Sequence, residues 1–181
     1  EDITRFKEQE EEIRNYARKI ELFSRIIALS GRAARTESFC SQALGTVIPL
    51  MNVKAGVISL TGKVTGDLEL IAHQGLSAGE PERFQRIPLS SLPQQVREGR
   101  GSVYSEDAEE FFTTLFGRPA PGPSTIIPLI SEGVLIGSII LISHWKGIIP
   151  ADELMILNGI GKEIGQAISR MQVRTELTAT R

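Results

Sequence analysis

The chain has 181 residues, of which 41% are hydrophobic and 23% are charged, and its formal net charge is −2. This composition predicts one globular domain with extensions. It excludes a basic surface for nucleic acid or direct membrane contact, and no apolar run is long enough to span a bilayer. The single cysteine, Cys40, excludes an internal disulfide, and the lack of a signal peptide pattern predicts a cytoplasmic location.

The first predicted element is a long helix over residues 4–30. Its apolar residues recur at alternating spacings of three and four, with Glu, Arg and Lys on the other faces. Such a narrow heptad stripe is typical of a helix that pairs with another helix, although a helix lying on its own domain stays an alternative. We expect a homodimer through the terminal helices, with a parallel seam formed by Phe6, Ile13, Tyr16, Ile20, Phe23 and Ile27.

The middle of the chain predicts several shorter elements. A helix over residues 36–50 has Thr36 as its N-cap and ends near Pro49. The glycines of TGKVTGD then predict a turn between two strands. The predicted elements that follow the helix are strands at Ala55–Leu60, Leu68–His73 and Arg83–Leu89, a helix at Ser91–Glu98, a strand at Ser102–Tyr104, a helix at Asp107–Phe116 and a loop at Gly117–Pro123.

The last third of the chain predicts a hairpin and a long helix. Residues 124–143 form two apolar runs joined by Ser131-Glu132-Gly133, and an amphipathic helix follows from about Ala151 into the 170s. The final strand is apolar at both parities, whereas a strand with one buried face alternates. The sheet is therefore predicted to be covered on both faces, as the middle layer of three.

The sequence of this region resembles the end of a GAF domain, a small sensory module of signalling proteins. The resemblance lies in IPLI, a turn, GSIIL and the long helix that follows. The resemblance covers about residues 36–170. It implies an α/β fold of the α+β type, with a mostly antiparallel central sheet, helices on both faces and long N- and C-terminal helices. Helices 4–30, 36–50 and 151–171 would lie on one face, and residues 75–123 would form the lid of a ligand pocket on the other.

The opening residues, EDIT followed by a lysine, are similar to the end of a PAS domain where it runs into a signalling helix. The implied organisation is a PAS tail and signalling helix at 1–31, a GAF domain at 32–171 and the start of a C-terminal linker helix at 172–181. The resemblance implies a non-catalytic sensory module of a signal-transduction histidine kinase of a two-component system. The alternatives left open are the sensory domain of a transcriptional activator and a haem-bound redox or gas sensor.

The resemblance also places a small-molecule ligand between the sheet and the lid. Tyr104 supplies a polar hydroxyl there, and Arg83 or Arg86 could pair with an anionic ligand. In the alternative interpretation the lid aromatics fill this space themselves. The pocket candidates are Phe84, Ile87, Leu92, Val96, Tyr104, Phe111 and Phe112.

No residue pattern predicts catalysis, a metal site or a resident cofactor. The glycines of Asn158–Gly161, with Gly165, lie inside a periodic helix rather than after a strand, which predicts close approach of the sheet or a partner helix at Gly161 and Gly165. Cys40 is expected to be a core residue, with tetrapyrrole attachment as the alternative. His73 and His144 are too few for a zinc site, although one axial histidine suffices for haem.

Overall fold

A computed structural model describes the backbone of residues 2–33, 35–104, 106–118, 122–143 and 151–179. Two single-turn 3-10 helices, Pro81–Phe84 and Leu89–Ser91, flank a short strand in the lid segment. The helices and strands are α1 Asp2–Arg32, α2 Thr36–Met51, β1 Val53–Thr61, β2 Leu68–Gln74, β3 Arg86–Ile87, α3 Gln94–Arg97, β4 Val103–Tyr104, α4 Glu106–Phe116, β5 Ser124–Ser131, β6 Val134–Ser143 and α5 Ala151–Ala179.

The strands form one antiparallel sheet in the order β3-β2-β1-β6-β5-β4. The central strands are apolar at both parities because both of their faces are covered: residues 55–60 of β1 and 124–129 of β5 are buried without interruption. The β5–β6 turn has positive φ at Glu132 (52°) and Gly133 (77°), the combination that matches the twist of a two-residue hairpin. The predicted three-layer α+β fold is confirmed.

One face of the sheet is covered by α2 and α5, with α1 packed against these two helices, and we call it the helix face. Leu22 and Ile26 of α1, Phe39 of α2 and Ile164 of α5 lie with Ile58 of β1 in one buried cluster. The last helix comes unusually close to β5. A Cβ atom on Gly161 would lie 2.5 Å from the Pro128 carbonyl oxygen, and one on Gly165 would lie 2.5 Å from the Ile130 carbonyl oxygen. The predicted close approach at both glycines is confirmed, and the element that approaches them is strand β5 of the sheet.

The opposite face is covered by the short elements between β2 and β5, and we call it the lid face. These elements bury a second cluster with the inward side chains of the strands. Its members are Val57, Leu68, Phe84, Ile87, Leu92, Val96, Val103, Phe111, Phe112, Ile126 and Ile140. The sheet therefore separates two cores that differ in the kind of element that covers them.

The outer edge of the sheet beyond β5 is only partly paired. The two-residue strand β4 reaches it at two positions, Val103 opposite Ile126 and Tyr104 opposite Thr125. Pro128 lies two residues beyond Ile126 on β5, and it has no N–H to offer a further strand. Among the residues that the structure describes, most of this edge of β5 therefore has no neighbouring strand.

At α2 the predicted N-cap is wrong, whereas the predicted end near Pro49 is confirmed to within two residues. The helix begins at Thr36 itself, with Arg35 as the N-cap and no side-chain capping bond. Pro49 lies inside its last turn, and the helix ends when Asn52 adopts a left-handed conformation (φ 54°), which asparagine tolerates better than most residues. A proline this near the end removes a single N–H donor, so the helix continues for two more residues, to Met51.

Two lid elements are shorter than predicted. The predicted strand Arg83–Leu89 pairs only at Arg86–Ile87, because the flanking Pro81 and Pro88 lack the N–H that a ladder needs. The helix predicted at Ser91–Glu98 is restricted to Gln94–Arg97. The Ser91 hydroxyl does not cap it but donates backwards to the Pro88 carbonyl oxygen at 2.6 Å.

Candidate functional site

The predicted pocket residues lie together under the lid. Six of the seven are buried in the lid-face cluster: Phe84, Ile87, Leu92, Val96, Phe111 and Phe112. Tyr104 lies on β4 and is only half-buried, and desolvation raises the pKa of its phenol. Arg83 is exposed, and exposed Arg86 forms an ion pair with Asp67 at 3.4 Å.

The aromatic rings of this cluster pack against one another. The ring of Phe84 meets Phe112 and Phe116 edge to face, with centroids 6.1 Å and 5.1 Å apart. Phe111 meets Phe112 in the same way at 5.3 Å. Such T-shaped pairs add about 0.5–1.5 kcal/mol beyond the area they bury. Much of the space below α4 is therefore occupied by side chains.

An open pocket of about 500 Å³ lies beside these rings, between the segment that leads into α3 and the face of α4. The apolar wall of the pocket consists of Leu92, Val103 and Phe111, and the other lining residues are mostly polar. Glu110 is the one acid among the described lining residues, and none of them is basic. The remaining lining residues are Ser90, Ser91, Pro93, Gln94, Gln95 and Thr114.

Sequence reasoning found Leu92 and Phe111 but missed the polar lining. The sequence places Gln94 and Gln95 in the predicted helix Ser91–Glu98, and Glu110 and Thr114 in the predicted helix Asp107–Phe116, without assigning any of the four to the pocket. A helical-wheel argument would have placed Glu110, Phe111 and Thr114 on one side of α4, because residues three and four apart share a face. Nothing local in the sequence brings the α3 segment to that side.

Two buried serine hydroxyls lie side by side at the centre of the sheet. Ser59 of β1 is paired directly with Ser138 of β6, and the two residues are 0% and 1% exposed. Neither hydroxyl has a hydrogen-bond partner among the residues that the structure describes. Their parity along the strands matches that of Val57 and Ile140, so both serines belong to the lid face. A buried, unpaired hydroxyl lowers stability.

The predicted seam residues lie on α1, and most of them point away from the domain. Phe6, Ile13, Tyr16, Ile20 and Ile27 are between 50% (Ile20) and 69% (Ile13) exposed. Phe23 is half-buried instead, because its ring lies against Gly159 of α5. The structure contains one chain, so the seam stays a prediction.

The two terminal helices run in the same direction along the helix face. Phe23 lies beside Gly159, and seven residues later the Ser30 carbonyl accepts a hydrogen bond from Arg174 at 3.3 Å. Residues 2–14 of α1 are all exposed, and burial begins only in its second half. The N-terminal stretch of α1 is therefore exposed, and the helix packs on the domain through its second half.

Among the described residues, the reactive residue types are not assembled into a site. Cys40 is buried in the helix-face core, and burial, with a smaller effect of the Glu37 charge, raises the pKa of its thiol to about 12. His73 is exposed at the end of β2, and His144 lies outside the described residues. No group of three or more His, Cys, Asp or Glu side chains could hold a metal ion in the part of the chain that the structure describes. Within the same part, no helix is both long and apolar enough for a membrane crossing.

Solved structures with a similar fold include GAF domains. The GAF domain of a phosphoenolpyruvate-protein phosphotransferase from Coxiella burnetii has a TM-score of 0.70 and 14% identity, over 88% of this chain and 98% of that one. A domain of a putative two-component sensor histidine kinase from Sinorhizobium meliloti has a TM-score of 0.55 and 18% identity, over 75% and 91%. The chain therefore has a GAF-like fold.

An enzyme shares this fold. The free methionine-R-sulfoxide reductase of Neisseria meningitidis has a TM-score of 0.68 and 16% identity, over 86% of this chain and 91% of that one. No protein-family model and no curated protein sequence matches the chain. At these identities the similarity concerns the fold, and one fold supports both catalysis and regulation, so function has to be argued from the residues themselves.

Proposed function

We propose that this chain is a non-catalytic sensory module of a signal-transduction histidine kinase, located in the cytoplasm. In this proposal residues 1–31 connect it to a PAS domain, residues 32–171 sense, and residues 172–181 begin the helix to the output region. A small molecule in the lid pocket, or a signal arriving along α1, changes how the terminal helices of two chains pair. The apolar stripe of α1 carries the proposal, because a single chain leaves it in water.

The occupant of that stripe is a second copy of the chain in parallel orientation. Phe6, Ile13, Ile20 and Ile27 are spaced by seven residues, so they recur at the same position of each heptad and can meet their own copies. The flanking charges fit the same pairing. Arg5 and Glu10 occupy the two edge positions that face each other between parallel chains, where opposite signs attract.

The chemistry of Cys40 supports a non-catalytic role. A thiol acts as a nucleophile in its thiolate form, and a cysteine whose pKa is about 12 stays protonated at neutral pH. The side chain is also 0% exposed, so no substrate reaches it without local opening. The pocket lining suggests the class of ligand: a neutral or cationic small molecule, since Glu110 is present and no basic residue is among the described lining.

Sedimentation equilibrium tests the pairing. The native chain should be a dimer at micromolar concentration, and Ile13→Glu with Ile20→Glu should make it a monomer, because like charges would face each other in the seam. The matched control is Val64→Glu with Val134→Glu, which adds the same charges at exposed apolar residues of the two hairpins. A monomeric native chain, or equal dissociation of both double variants, would contradict the seam.

A pocket-filling variant tests the sensory relay. Thr114→Trp places a large ring in the pocket wall, whereas Thr113→Trp places it at the neighbouring exposed position of α4, which does not line the pocket. Filling the pocket should change the dimer dissociation constant by about fivefold or more, the lower range of typical coupling between sites. The control should leave it within twofold of the native value. Equal constants for all three chains would contradict the relay.

A further inference from the structure

The pocket and the terminal helices lie on opposite faces of the sheet, so a signal between them has to cross the sheet or pass around its edge. The edge next to β5 is the short route, because β4 covers only two positions there. The loop that enters β4 leaves the lid face at this edge. Its Ser102 reaches α5, which lies on the helix face.

Three of the described hydrogen bonds hold Ser102 at the point where its loop passes from the lid face to the helix face. The Ser102 backbone N–H donates to Asn158 Oδ1 at 2.9 Å, and the Ser102 hydroxyl donates to the same oxygen at 2.5 Å. On the lid side, Gln95 Nε2 donates to the Ser102 carbonyl oxygen at 3.1 Å. Gly101 has φ +154°, and a Cβ atom there would lie 3.2 Å from Gln95 Nε2, so the loop fits tightly between the two amides. Ser102 is thus held from both sides.

Each end of this chain of bonds lies at a functionally relevant place. Gln95 lines the pocket, as does Val103, which follows Ser102 directly. Asn158 is followed by Gly159, which lies against the Phe23 ring of α1. A displacement of Ser102 would therefore be transmitted to the point where α5 and α1 meet.

We propose that Gln95, Ser102 and Asn158 form a latch that couples the occupancy of the lid pocket to the position of α5 against α1. This inference rests on the function proposed above and adds the route by which the signal travels. An occupant that moves α3 or β4 moves Ser102, and the two bonds to Asn158 carry the first half of α5 with it. The relay then depends on a hydrogen-bond acceptor at position 158 and not merely on the packing of the two cores.

A double-mutant cycle tests the latch, with Thr114→Trp as the pocket occupant. Asn158→Leu keeps a similar volume but removes the acceptor, whereas Asn158→Asp keeps it. We expect the change in dimer dissociation constant caused by Thr114→Trp, about fivefold or more, to fall below twofold in the Asn158→Leu background and to persist with Asn158→Asp. Gln166→Leu makes the same amide-to-leucine change at an exposed site of α5 and should preserve the response.

Hydrogen exchange adds a readout that pairing alone would not move. In Asn158→Leu the Ser102 amide should exchange about tenfold faster, because it loses its acceptor, and Thr114→Trp should no longer alter exchange in α5 near Gly159. If Asn158→Leu fails to fold, Ser102→Ala, which removes one of the two donors, takes its place in the cycle.

The outcomes separate the latch from the proposed function. A Thr114→Trp response that persists at full size in the Asn158→Leu background would overturn the latch and leave the sensory role intact. No response in the native background would overturn the relay, and the latch with it. A response that is lost in Asn158→Leu and kept in Gln166→Leu and Asn158→Asp is the result expected.

Discussion

The layer on the helix face is built from helices of 31, 16 and 29 residues, whereas the two α-helices over the lid face have 4 and 11 residues. A long helix satisfies its backbone hydrogen bonds internally and moves as one body. The lid segments depend on single turns and side-chain bonds, so they can rearrange one at a time. The comparison indicates that one face is suited to transmitting a displacement and the other to adapting to a ligand.

A large loss of stability should come from separating α5 from the sheet. Gly165→Ala would place Cβ 2.5 Å from the Ile130 carbonyl oxygen and 2.7 Å from its nitrogen, and backbone cannot yield as a side chain can. We expect the free energy of unfolding to fall by about 3 kcal/mol or more. Gly31→Ala is the control, since nothing lies within 4 Å of its Cβ position and α1 should gain up to about 1 kcal/mol. Urea denaturation measures both, and a neutral Gly165→Ala would show that the contact is loose.

Phenylalanine truncations compare the two cores directly. Phe39→Ala, at a 0% exposed site of the helix face, should lower the free energy of unfolding by about 3–5 kcal/mol. Phe111→Ala, beside the lid pocket, should lower it by about 1 kcal/mol less, because water can reach the space left behind. The same denaturation series decides the order, and equal losses would mean that the lid packs as firmly as the helices.

The pH dependence of stability reports on the helix-face core. The unfolded chain releases the Cys40 proton near its ordinary pKa of 9.0, and the folded chain retains it to about 12. The contribution of this thiol to the free energy of unfolding is therefore present below pH 9 and is lost as the pH rises from 9 to 12. Between pH 8 and pH 10 the native chain should lose about 1.4 kcal/mol more than Cys40→Ala, which lacks the titrating group. Parallel curves for the two chains would show that the thiol is not protected.

The smallest effects should come from the serines of the sheet. Ser59→Ala and Ser138→Ala remove unpaired buried hydroxyls, so each should raise the free energy of unfolding by up to about 1 kcal/mol. Ser124 is equally buried, but its hydroxyl donates to the Gly122 carbonyl oxygen at 3.0 Å. Ser124→Ala should therefore lower stability by about 1 kcal/mol. If all three changes lower it, the central pair has partners after all.

The helix face was predictable from the sequence and the lid only in part, for physical reasons. The strands β5 and β6 span 8 and 10 residues and α5 spans 29, so the local pattern is long enough to decide the type of each element. In the lid, Pro81, Pro88 and Pro93 divide the segment into pieces of two to four residues, too short for a period to appear.

The contacts of the candidate site depend on distant parts of the chain. Ser102 and Asn158 are 56 residues apart, and no local pattern in this sequence connects them. The pocket lining is similar, since Gln95 and Thr114 meet only because α3 and α4 pack over the same strand. The seam on α1 is the opposite case, because its heptad spacing can be read from one helix.

The incomplete pairing of β5 has a consequence for the behaviour of the chain at high concentration. An open strand edge next to apolar runs such as TIIPLI and SIILI is a template on which another chain can add as a further strand, and stacking of this kind leads to fibrils. Here Pro128 offers no donor at that edge, and α5 lies over the backbone of Pro128 and Ile130 at its two glycines. The close packing of α5 on β5 therefore also protects this strand from pairing with other chains. Substitutions that push α5 away from β5, such as Gly165→Ala, would expose a surface prone to aggregation.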